Sequence, residues 1–280
     1  VVRPGPFRDE QLAELVTDAE AVIVGVDGVK KQTLAAGKSL RVIAVHGTGT
    51  DNVDAQAARE AGVPVVNAPH TNAVAVAEYM FAALLALTRK VCEARASLNC
   101  GQWLGSHFMG TELYGKNLGI VGLGAIGRRV AAIGKGFGMD VHYCDVRSDS
   151  ELDETLGARR VGLAELLSGS DVVTLHVPLL PETRHLISAG ELALMRPTAY
   201  LVNLARGGVV DERALYEALV AGKLAGAVLD VFEREPVPSD WPMLKLSNVL
   251  CTPHIGGYTV EAARQTSLVT VENLLEAVGK

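Results

Sequence analysis

The sequence is poor in aromatic side chains, which make up only 5% of its 280 residues. It also lacks a paired-cysteine motif, any basic cluster of more than two or three residues, and an apolar run long enough for a bilayer. Each shortage excludes something. The four cysteines, Cys92, Cys100, Cys144 and Cys251, are scattered without a CxxC pair, so they read as small core residues in a reducing, cytoplasmic compartment. A net charge of −6 without basic clusters argues against a nucleic-acid surface. The longest apolar stretch, Ala73 to Leu87, contains Glu78 and stops before Arg89-Lys90, so it reads as a buried helix and no membrane partner is expected. HExxH is absent and the histidines show no metal-ligand spacing, so no metal is expected. No secretory signal is visible in the opening Val-Val-Arg-Pro, and the lack of an initiating Met suggests a fragment or a processed chain.

What is abundant is Val, Ala, Leu and Gly, within a hydrophobic share of 49%. That profile suits an α/β protein whose strands are covered on both faces. Short Val/Ile-rich runs alternate with helical patterns. Ala21 to Val26, Arg41 to Val45 and Val63 to Asn67 read as strands, followed by one long helix from about Asn72 to Leu98. After a Gly-punctuated loop, a second series has strands at Leu118 to Leu123, Val141 to Asp145, Asp171 to Val177, Tyr200 to Ala205, Ala227 to Val231 and Val249 to Thr252. Helices are predicted over Ala125 to Phe137, Asp211 to Lys223 and Val260 to Val278. Two parallel-sheet domains follow: one from residues 1–68 with 253–280, the other from 69–252. The first opens on a stub, Val1-Val2, as though an initial strand and helix were missing.

"LGIVGLGAIGRRVAA" places Gly122, Gly124 and Gly127 in the spacing G-x-G-x-x-G. With 29 glycines in the chain, chance alone gives that spacing roughly 0.3 times, so the spacing by itself decides little. Its setting decides more: a strand precedes it, a helix follows, and Asp145 closes the next strand 18 residues beyond Gly127. Gly122 permits the tight turn, Gly124 lets backbone approach a pyrophosphate, and Gly127 lets helix pack on strand. The helix N-terminus offers unpaired N–H groups to the phosphates. Asp145 can accept from a ribose 2′-OH and would repel a 2′-phosphate, which favours NAD over NADP, although Arg147 works against that preference.

"YLVNLARGGVVDE" ends an apolar strand on Arg206 followed by two glycines, Glu235 follows another strand in "LDVFEREP", and His254 follows a third in "CTPHIGGYT". Ligands of open parallel sheets bind outside the carboxyl ends of the strands, where all three residues fall. Singly, each has a plain reading: a solvated strand end, an acidic loop, a turn histidine. Beside a dinucleotide site they form a coherent set for hydride chemistry.

With "GTGTDNVD" (47–54), "GLGAIG" (122–127), "LHVPLLPETRHLI" (175–187), "NLARGGVVDE" (203–212), "LDVFEREP" (229–236) and "TPHIGG" (252–257), the chain resembles the D-isomer-specific 2-hydroxyacid dehydrogenase family, in its phosphoglycerate dehydrogenase-like branch. The resemblance implies a Rossmann-like NAD-binding domain and a flavodoxin-like substrate domain built from both chain ends. It implies that Arg206 grips the substrate carboxylate and C2 oxygen, that His254 exchanges the proton, and that Glu235 orients His254 and raises its pKa. It places Ala125, Ile126, Val177, Pro178, Leu204, Ala205, Asp230, His254, Gly256 and Gly257 at the cofactor, with Asp230 at the nicotinamide end. Thr48, Gly49, Asn72 and Arg206 fall to the substrate. His176 is expected in a structural or adenosine-side role, and His46 and His70 lie near the substrate loops. Many phosphoglycerate dehydrogenases carry an Arg where Val45 and His46 stand here, which argues against a phosphate-bearing substrate.

The reading is thus an NAD-dependent dehydrogenase acting on a small D-2-hydroxy or 2-oxo acid. It is expected to be a homodimer, formed through the 72–98 helix and the "WLGSHFMG" loop. Two others stand beside it: an NAD(H)-sensing interaction protein of the co-repressor type, and a nicotinamide enzyme oxidising formate or phosphite.

Overall fold

The computed structural model describes residues 5, 7–147, 155 and 157–279, so the Val1-Val2 stub lies outside the described residues. The chain forms two compact units, one holding residues up to Asn72 with those from Tyr258 onward, the other Ala73–Gly257.

In the first unit, β1 (Ala21–Val24), β2 (Val42–Val45) and β3 (Val65–Asn67) make a parallel sheet in that order. The central β2 is buried along its whole length, as its unbroken Val-Ile-Ala-Val run requires. Helices α1 (Asp9–Leu15), α2 (Lys31–Ala36) and α3 (Ala55–Glu60) supply Leu12, Leu34 and Ala58 to a core with Val24, Ile43 and Val45. The terminal helix, Val260–Gly279, packs on β2 and β3. Its polar residues explain why it docks there: Thr266 Oγ1 meets Thr71 Oγ1 at 2.7 Å and Ser267 Oγ meets His46 Nε2 at 2.9 Å. Asn273 Nδ2 also donates to Asn67 O at 2.8 Å.

The second unit carries a seven-stranded parallel sheet. Its strands are β4 (Asn117–Val121), β5 (Asp140–Cys144), β6 (Arg159–Arg160), β7 (Val172–Leu175), β8 (Tyr200–Asn203), β9 (Gly226–Leu229) and β10 (Val249–Cys251). The order across the sheet is β10-β9-β8-β7-β4-β5-β6. The chain therefore reverses direction between β4 and β7, and that switch point is where the carboxyl ends of the strands open a crevice.

Both faces of this sheet are covered. Leu118, Ile120, Val202 and Val228 pack under α4 (Ala73–Thr88) and α6 (Ala125–Gly136). Val173, Leu175, Leu201 and Leu229 face Leu166, Leu192 and Leu215 of α7 (Leu163–Gly169), α8 (Ala189–Leu192) and α9 (Glu212–Val220). Double coverage is why these strands read as continuous apolar runs and not as alternating ones.

The cysteines are not core residues, since Cys92 and Cys100 are exposed and Cys144 and Cys251 are only partly buried; two expectations about the elements also need correction. The single helix over 72–98 is two helices, α4 and α5 (Val91–Asn99), separated at Lys90 with φ +54°. The carbonyl of Thr88, which a continuous helix would offer to Cys92, instead accepts Thr111 N at 3.0 Å. Gly110 makes that approach possible, since a Cβ there would lie 2.6 Å from Thr88 O. The second correction concerns strand ends: Leu123, Asp145, Val177, Leu204, Ala205 and Val231 lie beyond their strands, in the turns that build the site.

Candidate active site

The turn after β4 begins at Gly122, whose φ of +95° and whose approach to His176 (a Cβ would lie 2.8 Å from that carbonyl) both demand glycine. Gly124 caps α6 and has open space where a Cβ would point, so ligand and backbone can come together there. A Cβ at Gly127 would overlap the Gly122 carbonyl oxygen, which fixes how closely the helix packs on the turn. Asp145 folds back onto the same turn: Oδ2 accepts Leu123 N at 2.6 Å and Oδ1 accepts Arg147 N at 2.9 Å. Arg160 Nη2 donates to the Asp145 carbonyl at 2.9 Å. Beside the switch point, His176 Nε2 pairs with Thr174 Oγ1 at 3.0 Å, while its buried Nδ1 has no partner among the described residues. Burial pushes its pKa down to about 3, so the ring is neutral. An open glycine cradle at a helix start, a carboxylate at the next strand end and an orphaned buried nitrogen at the switch point fit a dinucleotide.

Arg206 lies three residues past the end of β8, on a turn that one buried side chain builds. Asn203, 1% exposed, accepts Ala205 N on Oδ1 at 3.1 Å and donates from Nδ2 to Arg206 O at 2.9 Å. Arg206 Nη1 donates to Ala205 O at 2.7 Å. Gly207 then packs against the 232–235 loop, where a Cβ would overlap the Phe232 carbonyl. This contact sets Arg206 beside Glu235.

Glu235 receives Phe232 N on Oε1 at 3.0 Å and His254 Nδ1 on Oε2 at 2.8 Å. Burial pushes the Glu235 carboxyl upward, but the bonds from His254 and Phe232 outweigh it and hold the group below the usual glutamate value. The Glu235 bond raises the pKa of His254 against the opposing effects of burial and Arg206, and Asp230 adds to the rise. The His254 side chain is half exposed, and its Nε2 bonds to nothing among the described residues. Arg206, Glu235 and His254 are therefore brought together, with one histidine nitrogen anchored and the other open.

The other expected cofactor residues fall where the strand ends lie. Ala125 and Ile126 start α6, while Val177 and Pro178 follow β7. Leu204 and Ala205 follow β8, and Gly256 and Gly257 follow β10. Asp230, after β9, is 2% exposed, with its carboxylate bonded into the loop that carries His254. Thr48, Gly49 and Asn72 belong to the first unit, Thr48 and Gly49 on the loop after β2 and Asn72 at the unit's edge. Asn67 Nδ2 donates to Thr48 O at 2.7 Å. Among the described residues, no group of three His, Cys, Asp or Glu is arranged to hold a metal.

Sequence reasoning missed Asn203, Glu212 and Thr252, whose Oγ1 donates to Asp230 Oδ1 at 2.7 Å. Asn203 was visible as the one polar residue in an apolar run. Glu212 accepts Glu233 N at 2.6 Å, and His185 Nε2 meets Glu233 Oε1 at 3.0 Å, so both brace the loop that carries Glu235. Nothing in the linear spacing pointed to those contacts.

Residues 81–256 match the family described as D-isomer specific 2-hydroxyacid dehydrogenase, NAD binding domain. The chain is 44% identical over 267 residues to the D-3-phosphoglycerate dehydrogenase of Methanocaldococcus jannaschii, covering 95% of this chain and 51% of that protein. It thus spans about half the length of that relative. It is 41% identical to the glyoxylate reductase of Korarchaeum cryptofilum, covering 96% of this chain and 83% of that protein. The Aquifex aeolicus D-lactate dehydrogenase solved with NAD and lactic acid superposes with a TM-score of 0.85 at 33% identity, covering 95% of this chain and 87% of the other. The chain belongs to the D-isomer specific 2-hydroxyacid dehydrogenase family.

Proposed function

We propose that this chain transfers a hydride between NAD(H) and C2 of a small D-2-hydroxy acid or the matching 2-oxo acid. The observation that carries this reading is the convergence of Arg206, Glu235 and His254 at strand ends of the unit that holds the glycine-rich turn. Gly122, Gly124, Ala125, Ile126 and Gly127 would hold the pyrophosphate. Asp145 would take the ribose hydroxyls and select NAD over NADP. Val177, Pro178, Leu204, Ala205, Asp230, Gly256 and Gly257 would line the rest. When bound, the nicotinamide donates or accepts the hydride.

The protein's own part is placement and proton handling. The Arg206 guanidinium presents a planar fork of N–H donors to the substrate carboxylate and C2 oxygen. His254 holds a proton on Nε2 for the C2 oxygen during reduction, and takes it up during oxidation. Glu235 fixes the ring through Nδ1 and stabilises its charged form. Thr48, Gly49 and Asn72 are the substrate residues proposed in the first unit. Val45 and His46 offer no guanidinium for a phosphate, which points to an unphosphorylated acid.

We place the protein in the cytoplasm, where its four unpaired cysteines would stay reduced. We propose a homodimer through α5 and the loop after it, because Trp103 and Met109 there are 88% and 82% exposed. The test is loss of NADH absorbance with glyoxylate, hydroxypyruvate, pyruvate and phosphohydroxypyruvate. Turnover of one of the first three supports the reading. NADH binding without turnover of any of the four would overturn it in favour of a sensing role.

A further inference from the structure

His254 has φ +55°, the left-handed region that residues other than glycine occupy uncommonly and at some cost in strain. One buried side chain grips the chain on both sides of it. Asp230 accepts Thr252 Oγ1 at 2.7 Å and Ile255 N at 2.9 Å on Oδ1, and Gly256 N at 2.7 Å on Oδ2. The two N–H groups that follow the strained residue, and the hydroxyl two positions before it, therefore end on a single carboxylate. Returning His254 to negative φ would swing those N–H groups away and leave a buried charge without its donors, the more costly state. Gly256 lets the carboxylate come this close, since a Cβ there would lie 3.0 Å from Asp230 Oδ2.

A carboxylate can only accept, so the Thr252 hydroxyl gives its proton to Asp230 and ties the end of β10 to the loop after β9.

Resting on the dehydrogenase reading above, we propose that Asp230, supported by Thr252, is the positioning residue for His254. It locks the backbone so that Nδ1 meets Glu235 and Nε2 is left for the substrate, a role separate from any contact with the nicotinamide. The charged groups around His254 are Glu235, Asp230 and Arg206. Removing the Asp230 charge should therefore also lower the histidine's affinity for its proton.

Three variants of the whole chain test this. Thr252→Val keeps the shape and removes the donor, and Thr252→Ser restores it. Thr252→Val should lower kcat about tenfold through misplacement of His254. NADH affinity should stay within about twofold and Thr252→Ser should behave as wild type, a pattern of lost placement and not of lost binding. A Thr252→Val enzyme with wild-type kcat, or one whose whole loss lies in NADH affinity, would overturn the proposal. The third variant, Asp230→Asn, is read without substrate, as the NMR titration of the His254 ring, assigned by its absence in His254→Asn. A lowered pKa supports the proposal and an unchanged titration overturns it. If the wild type turned over no 2-oxo acid, the dehydrogenase reading would fall while the titration still decided whether Asp230 governs His254. If Asp230→Asn did not fold, the two Thr252 variants would decide alone.

Discussion

Gly207 packs so closely against Phe232 that a Cβ on it would overlap the Phe232 carbonyl. This contact holds the Arg206 turn against the loop that carries Glu235, and it explains why a glycine must follow the arginine. Gly207→Ala pits a side chain against backbone that cannot move freely. It should cost about 2–4 kcal/mol of stability. Gly208→Ala is the control, because its Cβ would meet Leu179 side-chain atoms at 3.3 Å, which can yield. Thermal melts should show a clear drop for Gly207→Ala and a small one for Gly208→Ala. Equal melting points would refute the contact.

The His254–Glu235 bond at 2.8 Å makes stability depend on pH in a signed way. His254 is raised above 6.5, so its contribution is complete below that value and is lost as pH climbs through the folded pKa. Glu235 is lowered below 4.5, so its contribution is present above that value and is lost as pH falls through its folded pKa. Wild type should therefore exceed Glu235→Gln in melting temperature most between about pH 4.5 and 6.5, with the gap narrowing on either side. The alkaline limb of reduction should move to lower pH in the same variant. A gap independent of pH would argue against the pair.

Asp145 bonds to Leu123 N at 2.6 Å and is the proposed ribose contact. Asp145→Ser should weaken NADH binding by about tenfold, the equivalent of about 1.4 kcal/mol, and narrow the preference over NADPH. Calorimetric titration of both cofactors checks it. An unchanged NADH:NADPH ratio would remove Asp145 from the specificity role.

Trp103 and Met109, with Tyr114 at 79% exposure, should be covered in solution if the proposed dimer forms. Light scattering should give twice the chain mass, and Trp103→Glu should return it to monomer. A wild-type monomer would refute the interface.

The fold was legible because its signals are local and redundant. Runs such as "YLVNL" and "VVTL" are buried on both faces, and the glycine spacing after β4 encodes a turn that only glycine can make. The break between α4 and α5 was not legible, because the apolar periodicity runs through it. The cause is a distant segment, Gly110-Thr111, taking the Thr88 carbonyl. The site divides the same way. Arg206, Glu235 and His254 stand out as charged or titratable groups just past apolar strands. Asn203 and Thr252 act through bonds at the strand ends, and such bonds exist only once the sheet has assembled its order.

The central claim is that His254 supplies the proton for a 2-oxo acid, and the most direct measurement compares wild type with His254→Asn at saturating NADH. The 2-oxo acid would be the one the wild type reduces best. The predicted result is a loss in kcat of about a thousandfold, within the span that general acid catalysis contributes, with NADH affinity unchanged. Turnover by His254→Asn at the wild-type rate would contradict the claim.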